Sequence, residues 1–160
     1  MNNFYTDVIQ QDPRFHSTKP VADQALLEPV TRAAVAAIIN EAHQAGIELR
    51  VFETYRSQEL QEIYYRRGVT QLRTVGVHHY GLACDLVKVV HGQPNWDGSF
   101  AFLGPLSQKY NLIWGGDWGF PDEKHSFRDW DHVQRILVSD QDALFNGGWY
   151  PDEQYSPYEA

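Results

Sequence analysis

The sequence predicts a mixed α+β fold, and three stretches of it carry that prediction. Val30, Ala34, Ile38 and Ala42 recur every four residues, the spacing of one buried helical stripe. Ile47, Leu49 and Val51 then alternate with Glu48 and Arg50, the two-residue period of a half-buried strand. Further on, Ala83–Val90 is an apolar, β-branched run suited to a buried strand.

Each element has local punctuation. The first helix is expected to start at Pro29, whose fixed φ and missing N–H suit the first helical position, and to stop at Gly46. Ser57 is placed to cap a second helix running to Arg67, with Leu60, Ile63, Tyr64 and Arg67 on one face and Gly68 as its end. A loop over 69–77 follows, and the turn-rich HGQPNWDGS closes the long strand. Phe102, Leu103, Leu106 and Tyr110 predict a third helix, limited by Pro105. Leu112–Trp114 and His132–Leu137 are further strand candidates. Residues 1–24 read as an irregular lead broken by Pro13 and Pro20, and 139–160 as an acidic, aromatic tail wrapping the surface.

At 160 residues the chain is expected to form one domain, large enough to bury roughly two thirds of its unfolded surface. Hydrophobic residues at 42% and charged residues at 21% are ordinary for a globular protein. Five Trp and nine Tyr exceed the usual needs of a core, and some are expected to line a cleft. A net charge of −8 gives no basic field to attract phosphates, which argues against a nucleic-acid partner. Cys84 is the only cysteine, so no intramolecular disulfide can form. The N-terminal residues lack a basic region followed by an apolar run, so no signal peptide is expected, and no stretch is apolar for long enough to span a bilayer.

The chemistry-bearing residues are split between HHYGLACD and DWDH. His78 and Asp85 lie seven apart, with Gly81 and Ala83 between them to let the chain turn into a strand. On that strand Asp85 shares a face with Ala83 and Val87, where an unpaired carboxylate costs several kcal/mol as a rough figure and a metal removes the cost. Asp129 and His132 are three apart, close enough to approach one centre. Together the two segments offer imidazoles and carboxylates suited to a divalent metal, with zinc accepting both donor types. An Asp that caps a turn or pairs with Arg is the plainer account of Asp85. For Arg56 the plainer account is a salt bridge to Glu53 or Glu59. His79 is expected beside the site, His125 in a solvated loop, and His16, His43 and His91 at the surface. Cys84 should face away from Asp85 as a small buried hydrophobe. Asp117 is a candidate to orient a ligand histidine.

Taken in order, YRS, HHYGLACD, WGGDW and DWDH resemble the VanY-like D-alanyl-D-alanine peptidase family of zinc enzymes. The branch that looks most similar holds the L-alanyl-D-glutamate endopeptidases of phages and bacteria. The matched region runs from about residue 52 to 136. The resemblance implies a Hedgehog/DD-peptidase-like fold, a small antiparallel sheet flanked by helices. It implies zinc held by His78, Asp85 and His132, a catalytic carboxylate at Asp129, and an oxyanion-binding Arg56.

The implied substrate is the peptide stem of peptidoglycan, cut most readily between L-Ala and D-Glu. D-alanyl-D-alanine carboxypeptidase or dipeptidase activity is the alternative, followed by a zinc-binding interaction domain without turnover. A monomer acting at the cell wall or periplasm is expected, with a holin or secretion apparatus for delivery. Three positions depart from the family pattern: Gly76 where Ser is usual, Asp131 where Pro is common, and an apparent insertion over 119–125.

Overall fold

The computed structural model describes residues 3–70, 72–117 and 129–159. The expectations for His125 and the 119–125 insertion concern residues outside these ranges. In chain order the elements are α1 (Pro29–Gln44), β1 (Leu49–Glu53), α2 (Gln58–Arg66), β2 (Ala83–Val90), β3 (Gln93–Asn95), α3 (Leu103–Lys109), β4 (Ile113–Trp114), β5 (His132–Gln134) and α4 (Gln141–Phe145).

The strands form one antiparallel sheet in the order β1-β2-β5-β4. The long β2 is its spine: β1 covers one edge, while β5 pairs with the first part of the other edge and β3 with the last. One face packs on α1 and α3 through Val35, Ile38, Leu49, Val51, Cys84, Leu86, Leu103 and Val133. Replacing a fully buried isoleucine such as Ile38 by alanine costs roughly 2–5 kcal/mol, so this layer holds the sheet in place. The opposite face carries Asp85 and its neighbours.

Most boundaries follow from local chemistry. Glu28 caps α1 by accepting from the Thr31 N–H, and Gly46 leaves the helix at a φ of +86°. Ser57 caps α2 through a 3.0 Å bond from the Leu60 N–H. Pro105 is tolerated in α3 because it sits in the first turn, where its missing N–H has no helical partner.

Several expectations need correction. On α2 the buried positions are Leu60 and Gln61, whereas Arg67 is exposed and caps the end. The turn-rich segment after β2 includes β3, a short hairpin partner despite Pro94. The last strand stops at Gln134, well short of Leu137.

The lead is mostly turns and bends, but Tyr5–Ile9 forms a π-helix, and Ile9 and Val21 are buried. Thr54 holds this lead, its N–H and hydroxyl both donating to the Val21 carbonyl at 2.7 and 3.1 Å. The tail does wrap the surface, but α4 gives it structure and tyrosine hydroxyls tie it down. Tyr150 donates to the Tyr80 carbonyl at 2.9 Å and Tyr158 to the Leu112 carbonyl at 2.7 Å. Part of the tyrosine excess is therefore fastening rather than cleft lining.

Candidate active site

His78 sits in a single tight turn, Val77–Tyr80, which ends at Gly81 with a φ of +75°. Only glycine fits there on two counts. The left-handed backbone disfavours a side chain, and a Cβ would lie 2.9 Å from the Leu26 carbonyl oxygen. The chain then enters β2, which presents Asp85. Asp85 and His132 are direct cross-strand partners on β2 and β5, so the sheet register itself brings them together.

The three side chains converge tightly. Asp85 Oδ1 is 3.2 Å from His78 Nε2 and 3.2 Å from His132 Nδ1. One donor atom from each residue falls within 4.8 Å of the others, and all three residues are buried.

Both imidazoles are oriented from behind. His78 Nδ1 donates to the Thr54 carbonyl at 2.9 Å, which leaves the Nε2 lone pair facing Asp85. His132 Nε2 lies 2.9 Å from Gln134 Oε1, and the Gln134 amide nitrogen donates to the Ile136 carbonyl at 2.7 Å. That arrangement makes Gln134 the acceptor and turns His132 Nδ1 toward Asp85. Two lone pairs and a carboxylate aimed at one point repel each other unless a cation or proton lies between them. Ligands of a tetrahedral zinc ion at about 2.0–2.1 Å lie roughly 3.3–3.4 Å apart, close to the separations seen here. The donor set therefore fits a divalent metal.

Electrostatics follow the same geometry. Burial works to raise the Asp85 carboxyl, but the His78 and His132 imidazoles outweigh it and hold the group well below the usual carboxylate range. Burial works to lower His132, and the Asp85 and Asp129 carboxylates outweigh that, leaving the imidazole raised.

Asp129 is brought to the edge of this group by the turn that follows β4. Its N–H donates to the Gly115 carbonyl at 3.2 Å, and a Cβ on Gly115 would sit 2.3 Å from the Asp129 carbonyl oxygen. The first glycine of WGGDW is thus the gap into which Asp129 docks. Its Oδ2 lies 4.0 Å from His132 Nδ1, and the side chain keeps 35% of its exposure, so it faces both the group and solvent.

Asp131 joins Asp85 and Asp129 in a second close cluster of carboxylates. Burial, then the Asp85 and Asp129 charges, pushes it up to about 8, while the Trp96 indole N–H donates to it at 3.2 Å.

Arg56 flanks the group from the other side, with Nη2 3.7 Å from Asp85 Oδ2. Its Nε donates to Glu53 Oε1 at 2.7 Å, so the expected salt bridge to Glu53 is present and coexists with an approach to the site. Glu59 instead meets His16 at 2.7 Å.

His79 points away from the group into an aromatic cage of Tyr5, Phe15, Tyr55 and Tyr80. Its Nε2 hydrogen-bonds the Tyr5 hydroxyl at 2.8 Å, Nδ1 meets the Arg56 carbonyl at 3.1 Å, and burial lowers its pKa. It pins the lead segment behind the site. His16 and His43 are exposed, and Cys84 is buried on the opposite face, as expected. Asp117 is exposed, and the orienting contacts come from Thr54 and Gln134. Gln134 alternates with His132 along β5, a signal the sequence did carry. Thr54 acts through its backbone carbonyl and had none.

Comparison with known proteins points to peptidases. A family model described as D-alanyl-D-alanine carboxypeptidase matches residues 70–127. The L-alanyl-D-glutamate peptidase of Listeria phage A118 is 27% identical over 116 residues, covering 69% of this chain and 41% of that protein. The peptidoglycan L-alanyl-D-glutamate endopeptidase CwlK of Bacillus subtilis (strain 168) is 24% identical over 144 residues, covering 76% of this chain and 83% of the relative. Over these stretches the chain is similar to VanY-like peptidases.

Solved structures share its fold. The Serratia marcescens L-Ala D-Glu endopeptidase ChiX superposes with a TM-score of 0.57 at 20% identity, over 69% of this chain and 81% of that one. The vancomycin-resistance D,D-pentapeptidase VanY, crystallised with Zn(II), gives 0.51 at 14% identity, over 75% and 78%. Against the phage relative the chain spans less than half the length, 41%. Among the described residues, no helix is long and apolar enough to cross a membrane.

Proposed function

We propose that this protein is a VanY-like peptidase, a zinc-dependent endopeptidase acting on the peptide stem of peptidoglycan at the L-Ala–D-Glu bond. One observation carries the reading: Asp129 and Arg56 flank the same His78–Asp85–His132 group, at 4.0 Å from His132 and 3.7 Å from Asp85. A site that only bound metal would need neither. Both sequence relatives named above are L-alanyl-D-glutamate peptidases, which favours that bond.

His78, Asp85 and His132 would hold the ion. Zinc bound there supplies a Lewis acid that polarises the amide carbonyl and lowers the pKa of a water. Asp129, about a third exposed, takes the proton from the attacking water and returns it to the leaving amine. Arg56 stabilises the oxyanion that develops on the substrate carbonyl, a contribution worth a few kcal/mol per donor, roughly. Its fixed charge and planar fork of donors suit that task better than a lysine would. Thr54 and Gln134 keep both imidazoles in the tautomer that faces the group. Because the substrate lies outside the cytoplasmic membrane, a holin or secretion apparatus is the proposed route to it.

The test is digestion of purified peptidoglycan with and without chelator, followed by mass analysis of the fragments. New N-terminal D-Glu is the expected product. Free D-Ala would move the assignment to a carboxypeptidase, the activity in the family model's description. A digest unaffected by chelator would overturn both.

A further inference from the structure

The pairing of β1 with β2 breaks register between Val51 and Glu53. Val51 stands opposite Leu86 and Glu53 opposite Asp85, so two steps on β1 match one on β2 and Phe52 is the extra residue. In an unbroken ladder Glu53 would fall opposite Cys84 and point into the core with Val51 and Leu86. The bulge turns it onto the face that carries Asp85.

There Glu53 is 1% exposed, and both carboxylate oxygens are occupied. Oε1 accepts from Arg56 Nε at 2.7 Å and also contacts Nη2 of the same guanidinium. Oε2 accepts from the Tyr64 hydroxyl at 3.0 Å. Tyr64 in turn lies against the guanidinium, whose central carbon is 4.7 Å from the ring centre. Gln61 Oε1 accepts from Arg56 Nη1 at 3.2 Å, and the Gln61 amide nitrogen is itself fixed by the Leu72 carbonyl at 2.6 Å. Every nitrogen of Arg56 thus has a partner that sets its direction.

The charges explain why a carboxylate is needed. With no competing anion, the guanidinium would close on the Asp85 carboxylate and compete for a metal ligand. Glu53 draws the fork back, so that Nη2 stops 3.7 Å from Asp85 Oδ2.

We infer that Glu53 is a positioning residue that aims Arg56 at the reacting carbonyl and holds it off Asp85. This rests on the peptidase reading of the site. The proposal separates Glu53 from the metal ligands: its removal should harm turnover while leaving metal binding intact.

The experiment compares Glu53→Gln, Glu53→Asp, Arg56→Ala and the Glu53→Gln/Arg56→Ala double variant. It measures kcat and KM on a stem peptide, zinc content, and exchange protection of the Arg56 Nε–H by NMR on zinc-free protein. Glu53→Gln should lower kcat by on the order of 10–100-fold, with KM and zinc content little changed. Glu53→Asp should recover part of the loss. In the Arg56→Ala background Glu53→Gln should cost nothing more, because its effect runs through Arg56. The Nε–H should be protected in the wild type and exchange fast in Glu53→Gln. Additive losses in the double variant, or zinc loss in Glu53→Gln, would overturn the proposal.

Should Glu53→Gln fail to fold, Glu53→Asp and the wild-type Nε–H protection decide it, and an unprotected Nε–H in the wild type overturns it. A wild-type protein that cuts no wall peptide overturns the peptidase reading instead. The exchange measurement then still reports whether Glu53 holds Arg56.

Discussion

The imidazoles of His78 and His132 meet nearly edge to face, with ring centroids 5.0 Å apart and planes at 74°, and each turns a nitrogen toward the same oxygen of Asp85. Each ring's other nitrogen is already committed, to the Thr54 carbonyl and to Gln134. The pair is therefore oriented before any ligand arrives. A preformed site of this kind stabilises the fold as soon as the metal binds.

Zinc should raise the melting temperature. At a free concentration one hundred times its Kd, a ligand of the native state adds about 2.7 kcal/mol. For a chain of this size that corresponds to a rise of roughly 5–11 °C. Calorimetry with added zinc, then with chelator, should show the shift and its reversal, and His132→Ala should lack it. An unmoved wild-type melting point would mean that the group holds no metal.

Asp129→Ala should retain zinc and lose turnover. Asp129 approaches His132 only to 4.0 Å and keeps a third of its surface, the placement of a proton carrier more than of a ligand. The expected fall in kcat is on the order of 10²–10⁴-fold. Zinc titration of the variant separates the roles, since loss of binding would make Asp129 a ligand.

What could be read in the sequence was whatever depends on local period or on residue type. Ala83–Val90 has the bounds the sequence predicts, because a mostly apolar stretch with three valines, closed by the turn residues His91 and Gly92, admits few alternatives. Asp85, His78 and His132 stand out in the sequence because metal binding needs particular residue types, and the fold brings the three together. The bulge at Phe52 was not legible, since no glycine marks it and the register shift shows only once β2 is paired. Thr54 acts through a backbone carbonyl, which residue identity does not encode. The short helices of the lead and tail were not legible, because these segments are held by long-range fastening, such as Tyr55 to the Phe15 carbonyl at 2.6 Å, with no periodic pattern of their own.

Arg135 is another of these fastenings, a buried one, and its loss should be costly. The guanidinium is 1% exposed, donates to Glu28 at 3.0 Å and to the Tyr155 carbonyl at 3.2 Å, and also contacts the Asp152 carbonyl. Arg135→Met leaves the Glu28 carboxylate buried without its cation, at a cost of about 3–5 kcal/mol. Thermal unfolding should drop by roughly 6–20 °C. Adding Glu28→Gln should return part of that loss, because the uncompensated charge goes with it. A double variant no more stable than Arg135→Met alone would assign the cost to the lost tail contacts.

The lead segment should show its own acid dependence. Arg14 bonds Asp12 at 2.9 Å and Asp23 at 2.9 Å. The bond from Arg14 lowers Asp12, and the Ala25 N–H followed by Arg14 lowers Asp23. A carboxyl lowered in the folded state contributes stability above its unfolded pKa of about 3.9, and the contribution disappears as pH falls through the folded value. All these groups are partly solvated, so each pair is worth no more than about 1 kcal/mol. Arg14→Ala should therefore melt a few degrees below wild type at about pH 6, and the gap should close as pH falls below about 3. Melting curves of both proteins across that range test the sign. A gap that widened in acid would mean that Arg14 stabilises the lead through packing and not through its two carboxylates.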